Sequence, residues 1–141
     1  GQKQVIKGIS YAPVPLIPAG ERIPNDDFMA DSMKAFWGNP GKELHGRGDF
    51  AIMRALGATT VRLYGNDPAK NHTSFLEGAR EHDMDVVAGF SDYPYTQMKG
   101  NCMSTDFNCY DQIKKNYVMN LKNGFLKGGH AYHTALRTVI L

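Results

Sequence analysis

Two cysteines and one tryptophan are all that the 141 residues hold of those types. So few cysteines exclude a small scaffold stapled by many disulfides. No apolar run approaches the roughly 20 residues of a membrane-spanning helix. Neither charge sign dominates: 16 Lys and Arg stand against 14 Asp and Glu. There is therefore no basic footprint for a nucleic-acid backbone. A hydrophobic content of 42% excludes a disordered chain. Internal repeats and low-complexity segments are absent, and no domain boundary is visible. The length suits one domain with its own core.

Strand and helix patterns alternate along the chain. "QVIKGISYAP" reads as a first strand over residues 4–11, ended by Pro13 and Pro15. A long connection rich in Gly, Pro and Asn follows, with a helical turn or two expected in "DDFMADSMKAFW". "GDFAIMRALG" reads as a short helix. Asp49 is its expected N-cap, Phe50, Met53 and Leu56 its buried face, and Gly57 its C′ residue. "ATTVRLYG" is a second strand, and the next helix carries the stripe Phe75, Leu76, Ala79 and His82. Residues 86–90 are a third strand. A longer helix is expected to bury Ile113, Tyr117, Leu121 and Phe125, with lysines opposite. Residues 136–141 are a fourth strand. This β/α alternation predicts an α/β fold with a parallel sheet. The apolar third and fourth strands predict a sheet covered on both faces. Nothing follows Leu141 to cover the last strand, which predicts that the chain is part of a larger fold.

One charge interrupts the second strand. Side chains alternate across a strand, so Val61 and Leu63 face one way and Arg62 and Tyr64 the other. A buried arginine needs an anion or a set of carbonyls. The bland account is a structural ion pair with Tyr64 as rim packing. The functional account uses the neighbouring strand ends, where parallel α/β folds place their sites. Ser10 and Tyr11 end the first strand, and Ser91, Asp92, Tyr93 and Tyr95 follow the third. Asn66 and Asp67 lie just past the second. Aromatic rings with polar groups between them suit sugars, whose rings have apolar faces and hydroxyl edges. Tyr11, Arg62, Tyr64, Asn66, Asp92 and Tyr93 are the candidate substrate-binding residues.

The stretches "VIKGISYAP" and "LGATTVRLYGNDPAKNHTSFLEGAREHDMDVVAGFSDYP" resemble the first half of secreted (β/α)8 glycosidases acting on β-1,3-glucans. The nearest likeness is to fungal β-1,3-glucanosyltransferases, with endo-β-1,3-glucanases more distant. The resemblance covers about residues 5–92. It implies that residues 1–141 form about four β/α units of a TIM barrel, truncated after the fourth strand. It also implies a polysaccharide or oligosaccharide substrate, and a partner in the remainder of the barrel, on the same parent chain or another. The acid/base of such enzymes follows the fourth strand and the nucleophile a later one, so both carboxylates are expected beyond Leu141. Retaining hydrolysis needs two carboxylates about 5–5.5 Å apart. The chain alone is expected to be inactive, its parent a retaining hydrolase or transglycosylase. Arg62 would face the barrel interior and hold the nucleophile carboxylate. The glucanosyltransferases commonly carry an acidic residue at the end of the third strand, where this chain has Gly89-Phe90-Ser91. A noncatalytic carbohydrate-binding or cell-surface protein of the same fold is the alternative, and an unrelated self-standing α/β domain a further one.

Cys102 and Cys109 bracket a short polar loop and are predicted to form a disulfide, the alternative being two thiols in a cytosolic loop. Asn71-His72-Thr73 is an N-glycosylation acceptor at Asn71. Both features predict a secreted, extracellular or cell-wall protein. No cofactor is expected. His130 and His133 flank Tyr132 in an expected solvated turn, and His45 and His72 are isolated, so no metal set is predicted. The tripeptide Arg47-Gly48-Asp49 spells an adhesion motif, but a helix cap explains Asp49 better. Trp37 reads equally as a sugar platform or a core plug.

Overall fold

The computed structural model describes residues 5–13, 18–19, 27–40, 46–90 and 102–140. Its fold is α/β. Strands β1 (Gly8–Ser10), β2 (Thr60–Leu63) and β3 (Asp85–Gly89) pair in parallel in chain order. A last strand, Leu136–Ile140, joins β3 at the far edge. Between β1 and β2 lie a 3-10 turn at Asp31–Met33, helix α1 (Lys34–Trp37) and helix α2 (Asp49–Ala55). Helix α3 (Thr73–Glu81) links β2 to β3. After β3 come a 3-10 turn at Cys102–Thr105 and helix α4 (Tyr110–Asn120). A small antiparallel hairpin of β4 (Leu126–Lys127) and β5 (Ala131–Tyr132) precedes the last strand, labelled β6.

The alternation in β2 sorts its side chains as the pleat requires. Val61 and Leu63 are fully buried, while Arg62 and Tyr64 are exposed. The same face continues through Ile9, Tyr11, Val86 and Ala88 into the core. Beneath it three rings interlock: Phe50 lies 4.9 Å from Phe75, and Trp37 meets Phe75 edge-on at 5.4 Å. Trp37 is a core plug. Burying each such ring contributes about 1.5–3 kcal/mol. The stripe of α3 behaves as its period predicts, with Phe75, Leu76 and Ala79 fully buried and His82 stacked on Phe50.

Several expectations are corrected. The sheet is covered on one face among the described residues, not on both. Ser10, Arg62 and Thr138 are exposed on the other face and Val87 is half-buried there. Asp49 is not the cap of α2. Gly48 takes the cap position, and the Asp49 side chain turns to Tyr11 and Arg47. Leu56 is 76% exposed, because the helix ends at Ala55 in a Schellman turn. There Gly57, at φ 87°, donates to the Arg54 carbonyl and Ala58 to the Met53 carbonyl. The long helix stops at Asn120. Asn123 and Gly124 break the following π turn, with Gly124 at φ 118°, and Phe125 enters the core from beyond that break. Ile113 and Tyr117 are only half-buried.

Two histidines read as solvent-facing or isolated are core residues. His133 is buried at the foot of the hairpin, and its Nδ1 accepts the Ala135 N–H at 3.2 Å. His72 is fully buried against Phe125, and its Nε2 bonds the equally buried Asp27 carboxylate. Asp27 also accepts the N–H of Met29 at 2.9 Å and of Asp67 at 3.1 Å. This one carboxylate therefore ties the first connection to the turn that precedes α3. Buried polar groups persist only when so partnered.

Candidate functional site

The candidate site begins where β1 and β2 end on the uncovered face. Ser10 and Arg62 are register partners, so they stand side by side. Tyr64, two residues on, returns to the same face. Its hydroxyl lies 3.1 Å from the Ser10 Oγ, within hydrogen-bond reach. The Arg62 guanidinium rests over the Tyr64 ring, 4.6 Å from its centroid. A cation over an exposed aromatic face gains about 0.5–1 kcal/mol. No carboxylate pairs with Arg62 among the described residues. The result is a fixed cation, an aromatic face and two hydroxyls open to solvent. That set can stack on a sugar ring and bond its hydroxyls or an anionic group.

Beyond β2 the chain supplies amides. Asn66 accepts a hydrogen bond from the Asn120 side-chain amide at 3.3 Å, and the same amide donates to the Asn116 carbonyl at 3.1 Å. Asn123 donates to the Pro68 carbonyl at 2.7 Å and accepts the His72 N–H through its own carbonyl at 2.8 Å. The turn after α4 is thereby pinned to the loop after β2. Asn120 and Asn123 were not among the residues read from the sequence. The Asn-Gly pair at 123–124 was a turn signal, but the four-residue spacing that runs on to Phe125 masks it.

Tyr11 occupies a different place from Tyr64. It lies on the covered face, 8% exposed, and donates its hydroxyl to Asp49 at 2.8 Å. Arg47 grips both oxygens of Asp49, at 2.7 and 2.8 Å. Burial pushes the Tyr11 hydroxyl far above the ordinary tyrosine value, and the Asp49 carboxylate adds to the shift. The Asp49 contact raises Arg47 as well. The arrangement fastens the end of β1 to the start of α2. Ser10, not Tyr11, is the β1 residue that stands beside Tyr64.

Asp92 and Tyr93 lie outside the described residues. Asn71 is exposed, and its side-chain oxygen accepts the Thr73 N–H at 2.8 Å. Cys102 and Cys109 are joined in a disulfide with their Cα atoms 5.1 Å apart. No group of three or more metal-ligating side chains occurs among the described residues, and none of the described helices is long and apolar enough to cross a membrane. Elsewhere, Glu77 accepts from Lys127 at 2.8 Å and lies 3.4 Å from His133 Nε2. The Lys127 bond, aided by His133, holds the Glu77 carboxyl below the usual range. No family model, curated protein or solved structure matches this chain.

Proposed function

We propose that the chain supplies the first β/α units of a (β/α)8 glycosidase or transglycosylase domain, and that Ser10, Arg62 and Tyr64 form part of its β-1,3-glucan-binding surface. The observation that carries this reading is a parallel sheet whose second face is open at Ser10, Arg62 and Thr138 among the described residues. Doubly wound folds place helices on both faces. A barrel places helices outside and turns the other face inward, with the site at the carboxyl ends of the strands. Here α1, α2 and α3 send Trp37, Phe50, Met53, Phe75, Leu76 and Ala79 into the same core as Val61 and Leu63. The cation, ring and hydroxyls lie on the opposite face at the end of β2.

In this reading Tyr64 offers its ring to a sugar face, and Ser10 orients its hydroxyl. Arg62 rests on Tyr64 until a carboxylate of the completed domain takes it, and the resemblance places such carboxylates beyond Leu141. Tyr11 acts from beneath by fixing the end of β1. Asn66 steadies the following loop through Asn120.

The test is Arg62→Lys in the full parent protein, assayed on a laminarin-type glucan. Lysine keeps the charge and loses the planar fork that orients a carboxylate. Turnover is expected to fall at least tenfold with the urea midpoint little changed, since Arg62 is exposed and supports no core contact. Unchanged turnover refutes the role of Arg62. Glucan binding without any turnover in the wild-type parent selects the noncatalytic carbohydrate-binding alternative.

A further inference from the structure

On the side of the molecule formed by α4 and the hairpin, two phenols meet for which burial gives no reason. Tyr117 on α4 and Tyr132 on β5 are 15 residues apart, and their hydroxyl oxygens are 2.5 Å from each other. Tyr132 is 54% exposed and Tyr117 half-buried, so water could serve both hydroxyls equally well. The fold nevertheless holds them together. Phe90 packs on the Tyr117 ring at 6.3 Å, and the pairing of Leu126 with Tyr132 sets the backbone that carries the second ring. The shared hydrogen bond also raises Tyr117 above the ordinary tyrosine value.

We propose that Tyr117 and Tyr132 are a site of oxidative modification, joined carbon to carbon into a biphenol by a peroxidase acting with hydrogen peroxide. The hydroxyl contact prefigures one feature of the product, and the rings must pivot about it to bring their ortho carbons together. Coupling through the ring carbons ortho to oxygen yields a 2,2′-biphenol, whose two hydroxyls remain hydrogen-bonded to each other. Each phenol first gives one electron and one proton to the oxidant, leaving a phenoxyl radical. The two radicals combine through their ortho carbons. The hydrogens on those carbons then pass to the oxygens and restore both phenols. Two hydrogen atoms leave the protein, and the peroxide is reduced to two waters. The link would clip the hairpin to α4 without involving the Cys102–Cys109 bridge.

The comparison is internal. Tyr64 and Tyr110 are exposed at 56% and 67%, as open to an oxidant as Tyr132, but neither meets another tyrosine among the described residues. The experiment treats dilute full-length protein with horseradish peroxidase and hydrogen peroxide, then reads biphenol fluorescence, intact mass and linked peptides. The expected result is a monomer lighter by two hydrogen atoms, with one peptide pair joined through Tyr117 and Tyr132. Tyr132→Phe should abolish the product and leave the unfolding midpoint in place. Wild-type protein unfolded in urea should give at least fivefold less of that link, which tests the geometry even where a variant folds poorly. No linked peptide, links to Tyr64 or Tyr110 at equal yield, or the same yield in urea would overturn the assignment.

Discussion

Replacing Tyr11 by phenylalanine removes one oxygen and leaves the ring against Phe50, 6.4 Å between centroids. The lost bond is to the Asp49 carboxylate, both oxygens of which Arg47 still holds. A hydrogen bond to a charged group contributes about 1.5–3 kcal/mol, so the variant should be less stable by about that amount near neutral pH. The alkaline side carries the sharper signature. An unfolded tyrosine releases its proton near pH 10, whereas burial and Asp49 keep Tyr11 protonated well above that. The stability is thus fully present below about pH 10 and is lost as pH rises beyond it. There the unfolded state binds one proton fewer than the native state. The unfolding free energy then falls by about 1.4 kcal/mol per pH unit. At about pH 11 the gap between wild type and Tyr11→Phe should shrink to about 0–1.6 kcal/mol. Urea titrations of both proteins at pH 7, 9, 10 and 11 read this directly. Parallel stability curves from pH 9 to 11, or a variant equal to wild type at pH 7, would refute the reasoning. Tyr117 is also raised, but it is common to both proteins and cancels in the difference.

Three further perturbations have defined outcomes. Gly124→Ala should cost about 1–3 kcal/mol for backbone conformation alone, since φ is 118° and a Cβ would lie 2.6 Å from the Thr73 nitrogen; a urea midpoint equal to wild type counts against the π turn. Glu77→Gln should flatten acid unfolding: the depressed Glu77 carboxyl stabilises the fold above the ordinary carboxylate range near 4.3, and that contribution disappears as pH falls through its lowered value. Equal acid midpoints for the two proteins would show that Lys127 and His133 do not grip it. Reducing Cys102–Cys109 should lower stability by about 2–3 kcal/mol for so short a loop, measured by thermal unfolding with and without reductant.

Local periodicity was a good guide in β2 and α3, though not at Leu56, Ile113 or Tyr117, whose stripes the core leaves exposed or half-covered. The two-residue alternation in β2 separates Val61 and Leu63 from Arg62 and Tyr64, and the stripe Phe75, Leu76, Ala79 buries as its spacing predicts. The α/β order follows from those local periods. Roles set by distant partners were not legible. Asp49 turns away from its own helix because Tyr11, 38 residues earlier, supplies a donor. His72 is buried because Asp27, 45 residues away, supplies a hydrogen-bond partner for its ring. His133 was read as solvated because its run of Gly and polar residues looks like open turn, yet the hairpin folds it inward. In the candidate site, Arg62 and Tyr64 came from strand alternation. Asn120 did not, because nothing local distinguishes it from a helix-surface amide.

The grip of Arg47 on Asp49 also settles how the tripeptide Arg47-Gly48-Asp49 presents itself to other molecules. A receptor that reads this sequence must take hold of a free carboxylate and a free guanidinium held apart. In the folded chain the two are bonded to each other, and the Asp49 side chain is only 10% exposed. Tyr11 occupies the carboxylate from the other side. The motif is concealed by its own members, and any receptor that captured it would be reporting a molecule that had come undone.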